Sequence, residues 1–353
     1  MKGINFDNVI TFDNLMIAYQ IIRKNTEHKK KIVRYEMFLH TNLSSIIEEL
    51  RSKKYEHGKY HIFLIKDPKY RIIMSEELRD KVINHLISKF VLQPLITPKL
   101  ISTNVATRIG KGGKAAIEYF KMFAREMNKY NHVYVLKLDI KKYFYNIDHE
   151  ILNQKLIRLI KDDRLFQIVC EIVCSTEKVY INEEITRVLD NEISKTKDKR
   201  IRKQLQSIPK YENNKGLAIG SMSNQILALY YLNGLDHYIK EKLHIKRVIR
   251  YQDDYILFHY DKKYLEYAKV CIENELKKIK LELNDKTEIY NLRHGMPFIG
   301  YHFKLDKKRL RIKPTSKNRN KIKKRLSILK RHDKEKYIKS KASYKGYFLV
   351  CTN

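Results

Sequence analysis

Short apolar runs of strand length alternate along the chain with longer segments whose apolar residues fall three and four apart. Residues 1–60 are charged, with helical spacing in NLMIAYQII and LSSIIEEL, and predict an N-terminal helical extension. HIFLIK (61–66) predicts a strand, Asp67-Pro68 a turn, and YRIIM a second strand. From Ser75 to about Phe90 the spacing is helical, with Ser75 as N-cap and Glu76 and Glu77 in the first turn. The glycine-rich turn in TRIGKGGKAAIEYFKMFAREM feeds a helix, VYVLKLDI (133–140) is a strongly apolar strand, and Asp148 caps the helix after it. Residues 176–214 predict a charged, loop-rich insertion carrying the basic run KTKDKRIRKQ. A helix over about 222–243 precedes VIRY and YILF, the two arms of a hairpin around Gln252-Asp253-Asp254. A helix near 263–280, short strands at TEIY and FIGYHF, and a basic helical segment follow. Strands separated by helices, with one tight hairpin, predict an α+β fold on a mostly antiparallel sheet.

At 353 residues the chain is long enough for two or three packed subdomains. Charge changes the picture most: 73 Lys and Arg stand against 40 Asp and Glu, a net +33. Such a field predicts a polyanionic partner bound through phosphate contacts in a salt-dependent way. A membrane surface would need an amphipathic anchor or a long apolar span. No run of 18 apolar residues occurs, and Asp7 and Asp13 interrupt the N-terminal apolar segment, so the expectation is no membrane and a cytoplasmic location. Cys170 and Cys174 share one face of an apolar helix and read as buried thiols; no CxxC pair suggests zinc.

Two adjacent acids between apolar strands are costly unless a cation meets them. A hairpin turn can aim Asp253 and Asp254 to one side, which a straight strand cannot. Asp139 closes another apolar strand, VLKLD. Three carboxylates at strand ends can bind two Mg²⁺ ions, with Mn²⁺ as an alternative, and such ions activate a hydroxyl and hold a leaving pyrophosphate. The same dipeptide at Asp162-Asp163 lies in the charged stretch IKDDR and reads as solvated helix surface.

LKLDIKKYFYNIDHEIL, GLAIGSMSNQILALYYLNGLD, RYQDDYILF, LELNDKTEIY and FIGYHF follow one another in the order of reverse transcriptase motifs. Over roughly residues 60–350 the sequence resembles the bacterial group II intron-like branch. Within it, the similarity is to diversity-generating retroelement reverse transcriptases and related phage-defence enzymes. The resemblance implies a right-hand polymerase with fingers (61–132), a ferredoxin-like antiparallel palm (133–300) interrupted by the insertion at about 176–214, and a basic helical thumb (301–353).

It also implies roles. Asp139, Asp253 and Asp254 are metal ligands, assisted by the Ile140 carbonyl. Phe144, five positions after Asp139, is the aromatic gate that excludes a ribose hydroxyl. Lys69 and Arg71 grip the triphosphate, with Lys66 as helper; Arg suits this through bidentate phosphate bonding. Gly216, Ile219, Gly220 and Gln225 pack under the nascent base pair. Group II intron relatives usually carry Gln where Ile219 stands, and the diversity-generating enzymes usually carry Ser where Asn224 stands. Ile219 in place of a polar nucleotide contact implies looser base or sugar discrimination and low fidelity. Lys286 is the lysine that protonates departing pyrophosphate. Phe298, Gly300 and Tyr301 form the primer-grip hairpin.

Arg108, Gly110, Lys111, Gly112, Gly113 and Lys114 suggest phosphate contact at a helix N-terminus. GxxxxGK[ST] is absent, so this is read as a template-backbone contact and not a P-loop. Lys304–Lys339 holds 17 Lys or Arg against three acids. Ile322, Leu326 and Leu329 give that segment one packing face, which suits a thumb helix along a primer–template duplex.

The leading expectation is an RNA-directed DNA polymerase of the diversity-generating type, using dNTPs, a template RNA and an accessory protein. A phage-defence enzyme with a noncoding RNA and a homo-oligomeric state is the alternative. A catalytically inactive RNA-binding protein is the alternative of another class.

Overall fold

The structure is a computed structural model that describes residues 3–26, 29–67, 69–306 and 309–351. Pro68 of the expected turn lies outside the described residues. The chain forms two compact units, one from Met1–Ile101, Lys141–Asp236 and Leu276–Glu282, the other from Ser102–Ile140, His237–Glu275 and Leu283–Asn353.

In the first unit, β1 (His61–Ile65) and β2 (Arg71–Ser75) pair antiparallel, from His61 with Ser75 to Ile65 with Arg71. That pairing corrects the expected cap. Ser75 is held extended by His61, so the helix starts at Leu78 with Glu77 in the N-cap position. Helix Phe12–Asn25 buries Leu15, Ala18, Tyr19 and Ile22, the three-and-four spacing its sequence shows, and packs on helix Leu78–Ile87. Asp148 caps its helix as expected, accepting from the Ile151 N–H at 3.0 Å. Asp162 is more than solvated surface. It caps helix Asp163–Cys174 through the N–H groups of Arg164 and Leu165, and takes the Phe6 N–H at 2.8 Å. Cys170 and Cys174 are half-buried on that helix, and burial pushes their thiols up to about 11 and about 12.

The insertion is largely helical, not loop-rich. Helix Tyr180–Lys195 buries Ile181, Ile185 and Leu189, spaced by four, and packs on β1. Asp198 caps the short helix Lys199–Gln206, which buries Leu205 in the same core as Ile62, Ile72 and Met74. Charge density on the outer faces hides this inner stripe. The helix expected over 222–243 runs over Met222–Tyr231 and continues past Leu232 in shorter turns to Lys242.

The second unit is built on a four-stranded antiparallel sheet of order β4-β5-β3-β6, with β3 Tyr134–Leu138, β4 Val248–Tyr251, β5 Asp254–His259 and β6 Glu288–Asn291. Helix Gly113–Met127 packs on β4 and β5 and buries Ala116, Phe120, Phe123 and Ala124. Phe120 meets Phe258 edge-on at 4.9 Å and Phe303 at 4.1 Å. Each such ring removed from water contributes roughly 1.5–3 kcal/mol. A second antiparallel sheet, β7 (Met296–Phe298), β8 (Tyr301–Leu305) and β9 (Leu310–Pro314), joins this core. Helices Ser316–His332 and Lys334–Leu349 pack on each other. Ile322 is buried, and Leu326 and Leu329 are half-buried on the expected stripe. Among the described residues, no helix is long and apolar enough to cross a membrane.

Candidate active site

Asp139 follows β3 directly, and Leu138, its last residue, pairs with Tyr255 of β5. The pairing ends there, so Asp139 leaves β3 at the end of the sheet where Asp254, partner of Tyr251 on β4, begins β5. Gln252 and Asp253 form the two-residue turn between β4 and β5, with Gln252 at φ 59°. Left-handed backbone there lets so short a turn close. All three aspartates are half-buried. Oxygen donors on adjacent strand ends and in their turn are the hard-ligand chemistry that suits Mg²⁺. Ile140 bridges Leu283, and the Asp139 carbonyl accepts the Asn284 N–H at 2.7 Å.

Arg250 explains why the hairpin tip holds its shape. Its side chain is fully buried, its Nε donates to the Gln252 carbonyl at 2.8 Å, and its guanidinium lies over the Tyr255 ring. Its backbone also recruits a distant segment. The Arg250 N–H donates to the Thr103 carbonyl, and the Val105 N–H donates to the Arg250 carbonyl. Val105 in turn accepts from Gly112 at 2.7 Å, at the start of the basic turn. Gly110 and Gly112 have φ 72° and 109°, positions that disfavour a side chain. The Arg108 guanidinium donates to the Asn104 carbonyl at 2.9 Å, and Lys111 Nζ donates to the Ser102 carbonyl. Burial holds Lys111 below the usual lysine range, with the Arg108 charge adding to it. Lys114 sits in the first turn of helix Gly113–Met127. Sequence reasoning missed Arg250, although an arginine inside an apolar strand before two acids is itself a signal.

Lys286 is exposed on a turn closed by the Thr287 N–H bond to Asn284. The Asp139 N–H reaches the Thr287 hydroxyl at 3.5 Å, so this turn flanks the Asp139 backbone on both its N–H and C=O sides. In the β7–β8 hairpin, Phe298 pairs with Tyr301 around Ile299 and Gly300, at φ 38° and 88°. The rings of Phe298 and Tyr301 are buried in the core, and the Gly300 carbonyl accepts from Asn318 and from the Tyr347 hydroxyl.

The first unit gathers the residues expected for the nucleotide. The Met74 N–H of β2 donates to the Ile219 carbonyl at 2.9 Å. A Cβ on Gly220 would lie 2.7 Å from the Met74 carbonyl, so β2 and this loop meet backbone to backbone. Arg71 opens β2 and is exposed; its charge acts on the Tyr145 phenol, which burial pushes up to about 12. Phe144 is half-buried in the short helix Tyr143–Asn146. Gln225 is half-buried on helix Met222–Tyr231. Lys69 is exposed, and Lys66 is ion-paired with Glu192 of the insertion at 2.5 Å.

An antiparallel sheet with Asp253 and Asp254 at a hairpin tip, Asp139 at the end of the neighbouring strand and a helix across one face is the construction of a polymerase palm, and the fold is an α+β right-hand polymerase. The family described as reverse transcriptase (RNA-dependent DNA polymerase) matches residues 64–303, more than half of the chain. The chain belongs to that family, whose domain is an RNA-dependent DNA polymerase by description; reverse transcriptase domains use divalent metal ions. Among solved structures, the chain is similar to telomerase from Candida albicans in complex with the TWJ fragment of telomeric RNA, at 11% identity and a TM-score of 0.52 over 75% of this chain and 47% of that one. It is also similar to apo telomerase from Candida tropicalis truncated from its C-terminal domain, at 15% identity and a TM-score of 0.50 over 74% of this chain and 55% of that one. The chain thus spans about half the length of the telomerases it matches. No curated protein matches it.

Proposed function

We propose that the chain makes cDNA from a dedicated RNA template by two-metal nucleotidyl transfer, as a diversity-generating retroelement enzyme does. The observation that supports this reading is the register that pairs Leu138 with Tyr255, so that β3 ends at Asp139 where β5 begins at Asp254, with Asp253 in the joining turn. Asp139, Asp253 and Asp254, with the Ile140 carbonyl, would hold two Mg²⁺ ions, or Mn²⁺ in their place. Such ions, when bound, make the primer 3′-hydroxyl a better nucleophile and carry charge developing on pyrophosphate. Lys286 would give pyrophosphate its proton. Lys69 and Arg71 would hold the triphosphate, Phe144 would exclude a ribose hydroxyl, and Ile219, Gly220 and Gln225 would line the nascent pair. Arg108, Lys111 and Lys114 would take template phosphates. The hairpin of Phe298, Gly300 and Tyr301 would serve the primer through its backbone, since both rings are buried.

A phage-defence enzyme acting with a noncoding RNA is the second reading, favoured by the ordered insertion helix Tyr180–Lys195 and by Gln252 between Tyr251 and the paired acids. Sequencing the nucleic acid that copurifies with the protein tests both. An RNA carrying a repeat of a neighbouring coding sequence supports diversity generation, and a structured RNA without one supports defence. Tight RNA binding with no dNTP incorporation would contradict both and leave a nonenzymatic RNA-binding protein.

A further inference from the structure

Phe144 stands on a backbone with a second layer of support that no sequence motif announces. Its helix, Tyr143–Asn146, follows Lys142 in the left-handed region at φ 48°. The Leu217 N–H donates to the Phe144 carbonyl at 2.7 Å, and the Gly216 N–H to the Ile147 carbonyl at 2.8 Å. Gly216 and Leu217 are in turn set by Tyr211. A Cβ on Gly216 would lie 2.5 Å from a ring carbon of Tyr211, so that ring rests on the Gly216 Cα. The Tyr211 hydroxyl donates to the Leu217 carbonyl at 3.2 Å, and its ring lies 4.7 Å from that of Tyr145. Tyr211 itself is clamped by Asn182. The Asn182 amide nitrogen donates to the Tyr211 carbonyl at 2.8 Å, and the amide oxygen accepts the Tyr211 N–H at 2.9 Å. Asn182 belongs to the insertion helix Tyr180–Lys195, whose buried face packs on β1.

We infer that Tyr211, clamped by Asn182 from the insertion, is a positioning residue that sets the choice of deoxyribose over ribose by fixing the height of Phe144. The inference rests on the reading of Phe144 as the sugar gate. A gate of this kind discriminates by a steric clash with one hydroxyl, so a recession of a fraction of an ångström relaxes it. Phe144 is half-buried, with its ring meeting that of Tyr143 at 5.7 Å, so the height of its ring follows the backbone that carries it. That backbone is bonded to Leu217; His149 and Thr176 hold the Gly216 carbonyl, and the Tyr211 ring and hydroxyl support the pair from the other side, at the Gly216 Cα and the Leu217 carbonyl. Removing the ring opens a void beside Gly216 into which the pair can relax. The insertion thereby gains a role, support of the sugar site from behind.

The test is single-nucleotide incorporation by the full chain on an RNA template, with kcat and KM for matched dNTP and rNTP. Tyr211→Leu should raise the rNTP-to-dNTP ratio of kcat/KM by about tenfold, chiefly through a lower KM for the rNTP. Asn182→Ala should move the ratio in the same direction by less. Tyr211→Phe keeps the ring and loses one hydrogen bond, so it should fall between wild type and Tyr211→Leu. Phe144→Ala, run alongside, should raise the ratio further. If Phe144→Ala raises the ratio and a folded Tyr211→Leu leaves it unchanged, losing dNTP and rNTP incorporation alike, the positioning role is overturned and the gate stands. If Phe144→Ala leaves the ratio unchanged, the gate reading fails and takes this inference with it. Should Tyr211→Leu not fold, an unchanged ratio in Asn182→Ala overturns the inference.

Discussion

Gln252, at the tip of the β4–β5 hairpin, donates from its side-chain amide to the Thr107 hydroxyl at 2.6 Å, across 145 residues of sequence. The Arg250 bonds to Thr103 and Val105 run alongside this contact. The turn that holds Asp253 and the glycine-rich basic turn are therefore parts of one rigid piece.

Cutting that tie should loosen the grip on template more than it slows chemistry. Thr107→Val keeps the shape and removes the acceptor, a loss of about 1 kcal/mol or several-fold in equilibrium terms. In steady-state primer extension the KM for primer–template should rise about three- to tenfold, with kcat falling by less. A KM equal to wild type would mean that the basic turn does not meet the template.

Glu76 gives the fold a pH dependence. It is buried at 9% exposure beside Ser221, and one of its oxygens has no hydrogen-bond partner among the described residues. Burial raises its carboxyl from 4.5 to about 7, against weaker pulls from Ser221 and Lys81. Between those values the folded chain keeps a proton that the unfolded chain releases. Stability from this group is full below the unfolded value and is lost as pH rises through the folded one, at up to about 1.4 kcal/mol per pH unit. Glu76→Gln should therefore melt higher than wild type at pH 8, by more than at pH 5. A melting difference constant across that range would show that Glu76 does not titrate this way.

The sequence made the chemistry legible and hid much of its support. Asp139 and Asp253-Asp254 stand out because polar residues at the ends of apolar strands break a local pattern, and β3, β4 and β5 follow that pattern closely. The tie from Arg250 to Thr103 and Val105 depends on a pairing between segments far apart, which no local period encodes. The helix Tyr180–Lys195 was obscured because its charged outer face outweighs Ile181, Ile185 and Leu189 by count. Ser75 looked like a cap because hydroxyl residues often cap helices, yet a cross-strand partner, His61, overrides that preference. Asn182 carries no signal beyond its type; only its two bonds to Tyr211 reveal it.

Fidelity should depend on Ile219. Its carbonyl is fixed by the Met74 N–H, and its side chain is half-buried. Ile219→Gln introduces a polar group beside the expected nascent pair, so misincorporation on an RNA template should fall several-fold, as read by sequencing the cDNA. Equal error rates in variant and wild type would count against a role for Ile219 in base or sugar discrimination.

The most direct measurement is dNTP incorporation on a primed RNA template, with Mg²⁺ or Mn²⁺, by wild type and by Asp139→Asn. The substitution keeps the size of the side chain and removes its charge. Wild type should extend the primer, and Asp139→Asn should lose at least about a thousandfold in rate while its melting temperature and RNA affinity stay close to wild type. Primer extension by Asp139→Asn at the wild-type rate, or none by wild type with either ion, would contradict the assignment of these three aspartates.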